Sequence, residues 1–202
     1  HAGYVIKLLA VCERLAAGEG ESTESISVRV YPALVDRTHP LASVHGANNA
    51  VFVQAEAAGD LMFYGAGAGG VQTASAVLGD VVSAARRHIA GGVGVGESTR
   101  ANLPTVPIGR VITRYQITLE VNDQPGVLAT VAGILSEGRV SIATVEQTTI
   151  ESDAENPAAG GSARLVIGTH QAREQDLSET VERLAASGVV ERVVSVLRVE
   201  GN

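Results

Sequence analysis

The stretch Ile117-Thr-Leu-Glu-Val-Asn-Asp-Gln-Pro-Gly-Val-Leu-Ala-Thr-Val-Ala-Gly-Ile-Leu135 changes its period halfway along. Up to Asn122, and from Tyr115 just before it, apolar and polar residues alternate. Tyr115, Ile117, Leu119 and Val121 fall on one side; Gln116, Thr118, Glu120 and Asn122 fall on the other. A period of two is that of a strand buried on one face. Beyond Gly126 the apolar residues Val127, Leu128, Val131, Ile134 and Leu135 recur at helical spacing. Asp123-Gln-Pro-Gly126 between them reads as a turn and helix start, since proline fits a first helical turn where its missing N–H is not needed. Gly138 is the expected helix stop.

Working outward, Val140–Ile150 predicts a second strand and Glu151–Gly161, rich in Asp, Asn, Pro and Gly, an exposed loop. Ala163–His170 predicts a third strand. Leu177, Val181 and Leu184 place a helix at about 173–187, stopped by Gly188, and Val189–Val199 predicts the last strand. The order is βαββαβ, the ferredoxin-like plan. Ahead of it, residues 91–110 carry glycines and then two prolines, which read as a linker, so the expected domains are 1–107 and 108–202.

The first domain is less regular. Tyr4–Leu15 and Ile26–Val35 predict strands around the exposed loop Gly18–Thr23. Ala50–Glu56 and Leu61–Tyr64 pair across the turn Ala57-Ala-Gly-Asp60, and Thr73–Ile89 predicts an amphipathic helix capped by Thr73. The expectation is a strand-rich sheet closed by one long helix. The fold class is α+β: a mixed sheet with a long helix, followed by the βαββαβ domain.

Composition excludes several function classes. Fifteen basic residues against 22 acidic ones, and a single lysine (Lys7), do not suit a nucleic-acid partner. The acidity is uneven, with 8 basic and 9 acidic residues in 1–110 but 7 and 13 in 111–202. Aromatic residues are only 3% of the chain, so Val, Ile, Leu and Ala must fill the core. The lone Cys12 forms no internal disulfide, no Cys/His spacing suits a metal, and a cytoplasmic protein is expected. No apolar run reaches the ~18 residues of a membrane span, and no secretory leader is legible.

The catalytic inventory is thin. Gly65-Ala-Gly-Ala-Gly-Gly70 precedes a helix and is either a ligand contact or a tight strand–helix connection; its spacing is not G-x-G-x-x-G. His39-Pro-Leu-Ala-Ser-Val-His45 reads as a proline-started turn in preference to a catalytic or metal site, and Gly46-Ala-Asn-Asn-Ala50 as loop backbone satisfied by Asn side chains. Lys7 is either a buried functional amine or an edge lysine whose head reaches water. The turn at Asp123 has two readings as well. The N–H groups of Gly126, Val127 and Leu128 would suit the carboxylate of a free amino acid and Asp123 its ammonium; otherwise the turn is simply a capped helix start.

These residues carry a resemblance. On the Ile117–Leu135 stretch and the βαββαβ order, residues 111–202 resemble an ACT domain, a family that typically binds small amino acids and pairs side by side. Residues 1–89 resemble the C-terminal part of the catalytic region of homoserine dehydrogenase, through His39-Pro-Leu-Ala, Asn49-Ala-Val and above all Tyr64-Gly-Ala-Gly-Ala-Gly-Gly-Val-Gln-Thr-Ala-Ser-Ala-Val-Leu-Gly-Asp80. Together they resemble the long bacterial form of that NAD(P)-dependent oxidoreductase of threonine and methionine biosynthesis, with its threonine-responsive tail. The resemblance implies that Gly69 meets the nicotinamide end of the cofactor, with Thr73 beside it; Gln72 stands where bacterial members often have proline. The family's Rossmann motif, its two catalytic lysines and its substrate carboxylates are not in this chain, and Lys7 matches neither lysine. The chain is therefore expected to hold no catalytic residue and no metal, to bind NAD(P) poorly by itself, and to come from a longer protein. It is expected to form a homo-oligomer through its sheet and its ACT domain, with threonine as effector.

Overall fold

The computed structural model describes residues 3–17, 23–92, 102–150 and 161–201. The Gly18–Thr23 loop lies almost wholly outside the described residues; so do most of the Glu151–Gly161 loop and residues 93–101 of the expected linker. The chain forms two compact units, residues 1–36 with 103–202, and residues 37–102.

The first unit is built on a mixed sheet of six strands. In chain order these are β1 (Tyr4–Leu15), β2 (Ser25–Asp36), β6 (Tyr115–Asn122), β7 (Ile142–Ile150), β8 (Ser162–Thr169) and β10 (Val190–Glu200), arranged β1-β2-β10-β6-β8-β7. The last four are the ferredoxin-like set, with helices α2 (Val127–Glu137) and α3 (Glu174–Ala185) between them. A small ribbon of β5 (Ile112–Thr113) and β9 (Ala172–Arg173) is added at one end.

The alternation read from the sequence is the burial observed. Tyr115, Ile117, Leu119 and Val121 are buried along β6, against Val127, Val131 and Leu135 of α2 and Leu177 and Leu184 of α3. Ala163, Leu165 and Ile167 of β8 complete this core. Gly138 does cap α2, but with a negative φ; the left-handed position falls on Arg139, at φ 59°. The glycine is needed for a different reason: a Cβ there would lie 2.0 Å from Thr180 Oγ1, so it permits the close approach of α2 and α3.

The division of the chain differs from the expected cut after residue 107. β1 and β2 do not share a sheet with the other strands of residues 1–89. They form an antiparallel hairpin that joins the ferredoxin-like strands, because β2 runs parallel to β10 through Ala33–Arg198, Leu34–Val199 and Val35–Glu200. Part of the expected linker is laddered too: Ile26 N–H donates to Pro104 O at 2.9 Å and Val106 N–H to Ile26 O at 2.9 Å. The prolines leave alternate groups free to pair with a strand edge.

Beside these contacts the joint is polar. The Arg198 guanidinium lies 4.4 Å from the ring centroid of Tyr31 on β2 and 5.5 Å from that of Tyr115 on β6. It is ion-paired to Glu174 at the start of α3, whose Oε1 also accepts the Tyr115 hydroxyl at 2.8 Å. Tyr31 donates to Glu200 and accepts from Arg29 Nε at 2.7 Å. Burial first, and then the hydrogen bond to Glu200, pushes the Tyr31 hydroxyl up to about 12.

The second unit holds a two-stranded ribbon, β3 (Asn48–Ala55) and β4 (Gly59–Ala66), and the helix α1 (Gly70–Ile89). The ribbon pairs where expected, across Gly59 at φ 69°. α1 starts three residues before Thr73. Its N-cap is Gly69, and no side chain caps it, so Thr73 is a first-turn residue and not a cap. None of its residues is buried.

Two outcomes test this architecture. Leu119→Ala, at 0% exposure, is expected to lower unfolding free energy by about 2–5 kcal/mol in urea titration, and Ile6→Ala, at 61%, by less than about 0.5 kcal/mol. Because Tyr31 is raised from the ordinary value near 10, its contribution is complete below about pH 10 and is lost as pH rises through about 12. The wild-type urea midpoint should therefore fall more steeply over that window than that of Tyr31→Phe.

Candidate functional site

The turn after β6 opens a cleft of about 220 Å³, bounded by Val121–Leu128 and by Gln147 and Leu165 on the neighbouring strands. β6 fixes its position. The buried alternation ends at Val121, Asn122 N–H is held by Val189 O at 3.3 Å, and Asp123 N–H by Gly161 O at 2.6 Å. The chain then turns through Gly126 at φ 92°, a conformation costly for a residue with a Cβ, and enters α2 at Val127.

All four residues expected here therefore line one cleft: Asp123, Gly126, Val127 and Leu128. Their roles in the turn differ in detail from the expectation. Pro125 and Gly126 precede the helix, Gly126 is the N-cap, and no side chain caps it, so Asp123 is not a capping residue. The Val127 N–H is directed to Gln124 O at 3.3 Å. Leu128 follows in the first turn of α2, where the N–H groups have no acceptor within the helix. Its side chain is 43% exposed at the cleft, whereas Val127 points into the core.

Gln147 completes the lining and was not legible in the sequence. It sits mid-strand on β7, where its Nε2 approaches Asp123 Oδ1 at 3.5 Å. β7 reaches the cleft through β8, whose Leu165 pairs with both Gln147 and Leu119. Only that register brings a residue 24 positions away to the turn. The cleft thus offers a carboxylate, a carboxamide, helix-start N–H groups and two apolar walls, a set able to meet a small zwitterion.

The glycine loop lies in the other unit. Gly67 N–H donates to Ala47 O at 2.9 Å, and a Cβ on Gly67 would fall 1.6 Å from Asn49 Nδ2. The loop is therefore a tight connection at Gly67, where a Cβ would have to displace the Asn49 carboxamide. Gly69 has φ 134°, and the Gln72 carboxamide folds over it, 2.2 Å from where a Cβ would stand. His39 belongs to a turn: its Nδ1 accepts from Leu41 N–H at 3.2 Å, beside the three-ten turn Pro40–Ser43, and its ring packs on Phe52. Among the described residues no three His, Cys, Asp or Glu side chains converge, and no helix is long and apolar enough to cross a membrane.

A ferredoxin-like sheet with two helices on one face and a cleft at the first strand–helix turn defines the class: an ACT-type domain, here carrying two added strands. Residues 115–189 match the ACT domain family model, and residues 1–82 match the homoserine dehydrogenase model. The chain belongs to the homoserine dehydrogenase family. The homoserine dehydrogenase of Corynebacterium glutamicum is 52% identical over 199 residues, covering 98% of this chain and 42% of the relative. That of Mycobacterium leprae is 52% identical over 202 residues, covering 98% and 44%. A crystal structure of a homoserine dehydrogenase from Thiobacillus denitrificans is similar at TM-score 0.81 and 32% identity, over 98% of this chain and 43% of that one. The chain thus spans less than half the length of the curated relatives it matches.

Asp123→Ala is expected to change the urea midpoint little, since the side chain caps nothing. Gly126→Ala should cost more, about 1 kcal/mol, through its positive φ alone, because no atom lies within 4 Å of the added methyl.

Proposed function

We propose that this chain is the C-terminal portion of a homoserine dehydrogenase whose ACT domain senses a small amino acid, threonine, for feedback control. The parent reaction is reversible: NAD(P)H gives a hydride to the aldehyde carbon of aspartate semialdehyde and, with a proton, forms the homoserine hydroxyl. A cytoplasmic location goes with that biosynthetic role. The observation that carries the reading is one chain in which strands of the homoserine dehydrogenase match share a sheet with an ACT domain whose first turn opens a cleft. In the cleft, Asp123 and Gln147 face the ammonium end of the effector, and the helix start at Gly126–Leu128 faces its carboxylate.

Toward the cofactor this chain offers Gly69 and the first turn of α1, which Thr73 closes. These fit a nicotinamide carboxamide once Gln72 moves aside. When bound, the cofactor supplies the hydride; the part of Gly69 is to let the ring approach the backbone closely. The described residues hold no glycine-lined phosphate cradle, so stable binding of NAD(P) needs the rest of the enzyme. By itself the chain acts as a non-catalytic amino-acid-binding and association module.

Association has a candidate face. On the hairpin, Ile6, Leu8, Val28 and Val30 are each more than 60% exposed, and no polar side chain interrupts them. Contiguous apolar exposure of this kind marks a contact surface, and a second copy is the proposed occupant.

The test is calorimetric titration of the 202-residue chain with threonine, with alanine and isoleucine as comparators. Threonine is expected to bind with a Kd on the order of micromolar to millimolar, as one small ligand buries little surface. Asp123→Ala should weaken it about tenfold or more, the loss of one charge-assisted contact. No heat from any of the three ligands, with a folded chain, removes the sensor reading. In the complete enzyme Gly69→Val is expected to lower turnover with the fold retained; unchanged kinetics would take Gly69 out of the cofactor site.

A further inference from the structure

The hairpin and the ACT core meet at a joint that is unusual in what it buries. On β2 the inward positions from Ser25 to Tyr31 are Ser25, Ser27, Arg29 and Tyr31, all buried, while the apolar Val28 and Val30 face out. The polarity of this half-strand is thus inverted with respect to the sheet it joins. Its ladder to β10 has only three residue pairs, beside the buried Ala33, Leu34 and Val35 and the bridge from Ile26 to residues 104–106. Over the half-strand Ser25–Tyr31 the inward contacts of the side chains are polar.

One side chain collects them. Arg198 of β10 covers the Tyr31 ring from the hairpin and the Tyr115 ring from β6, and it is ion-paired to Glu174 of α3, with Nε to Oε1 at 3.0 Å. Two residues on, Glu200 receives the Tyr31 hydroxyl and the Arg29 guanidinium at 3.4 Å. Arg29 reaches onward to Ser27 Oγ at 2.6 Å and to Glu13 of β1 at 3.1 Å. The chain of contacts therefore runs from α3 to the outermost strand. Arg29 and Glu174 are buried and Arg198 and Glu200 partly so, and displacing the partner of a buried charge leaves an ion unpaired away from water. An apolar joint of the same size could slide.

We propose that Arg198 is a positioning residue, the joint through which the ACT unit holds the β1–β2 hairpin in a single register. A shift of α3 or β10 is then imposed on strands that belong to the homoserine dehydrogenase match, and no ligand needs to reach those strands. The claim concerns the joint alone and stands or falls separately from the identity of any effector.

Native-state hydrogen exchange on the 202-residue chain tests it. Arg198→Met is expected to raise exchange of the amides of residues 25–36 about tenfold or more, with residues 115–121 and 163–167 within about twofold of wild type. Arg198→Lys keeps the charge but not the planar fork, and should give most of the same loosening. Tyr31→Leu removes the hairpin's half of the joint and leaves Arg198, Glu174 and Tyr115 together; it should loosen 25–36 selectively, and adding Arg198→Met to it should change exchange there by less than about twofold. Hairpin exchange unchanged in Tyr31→Leu overturns the proposal, whatever Arg198→Met does. So does an equal rise across both regions, or complete unfolding, in Arg198→Met.

Discussion

The burial of one face of β6 is the constraint on which the first unit depends. Four alternate residues, Tyr115, Ile117, Leu119 and Val121, are each at most 3% exposed, and a slip of one residue would turn all four outward. That register is pinned from both sides, by β8 and by β10. It also sets both chemically distinct ends of the strand. Tyr115 delivers its hydroxyl to Glu174 at one end, and the chain leaves the sheet into the Asp123 turn at the other. Eight residues of strand separate the ends by about 25 Å, at the usual rise per residue. The cleft and the polar joint are therefore the two ends of one rigid element.

This explains what was legible in the sequence. The periods on either side of Asp123 are strong because the buried faces of β6 and α2 are wholly apolar, and β6, α2, β7, β8, α3 and β10 are all read within a few residues of their observed bounds. The turn residues Asp123, Gly126, Val127 and Leu128 are contiguous and come together by necessity. Gln147 was invisible because only the β8 register brings it to the turn. The place of the hairpin was hidden for a sharper reason. Burying Ser27 and Arg29 while exposing Val28 and Val30 is the reverse of the pattern by which a strand announces its core face. Read by period alone, β2 presents its apolar side to the sheet; in the structure it presents its polar side.

The glycines show a related limit. Glycine at position 67, 69 or 138 looks the same in a sequence, yet the cause differs at each. Asn49 occupies the space at Gly67, φ is 134° at Gly69, and Thr180 crowds Gly138. The loop motif could be read as either a ligand contact or a tight connection, and Asn49 makes it a tight connection at Gly67. Gly69 remains the position where close approach is open, since only the end of a flexible Gln72 side chain stands over it.

The two faces of the hairpin have opposite chemistry, and this bears on how an effector signal could leave the ACT domain under the proposed function. The inward face is a network of charged and polar side chains; the outward face is a set of exposed apolar side chains, which the proposed function gives to a second copy. Apolar contact is non-directional and tolerates sliding, whereas the charged joint does not. Under the proposed joint, a displacement that begins at α3 or β10 reaches the hairpin and is expressed at the face that can accommodate movement. A ligand can drive such a shift only by the difference in its affinity for the two arrangements. The cleft meets that requirement if Gln147 moves relative to Asp123, since β7 is an edge strand with one sheet neighbour, β8, and is the least constrained wall the ligand would touch.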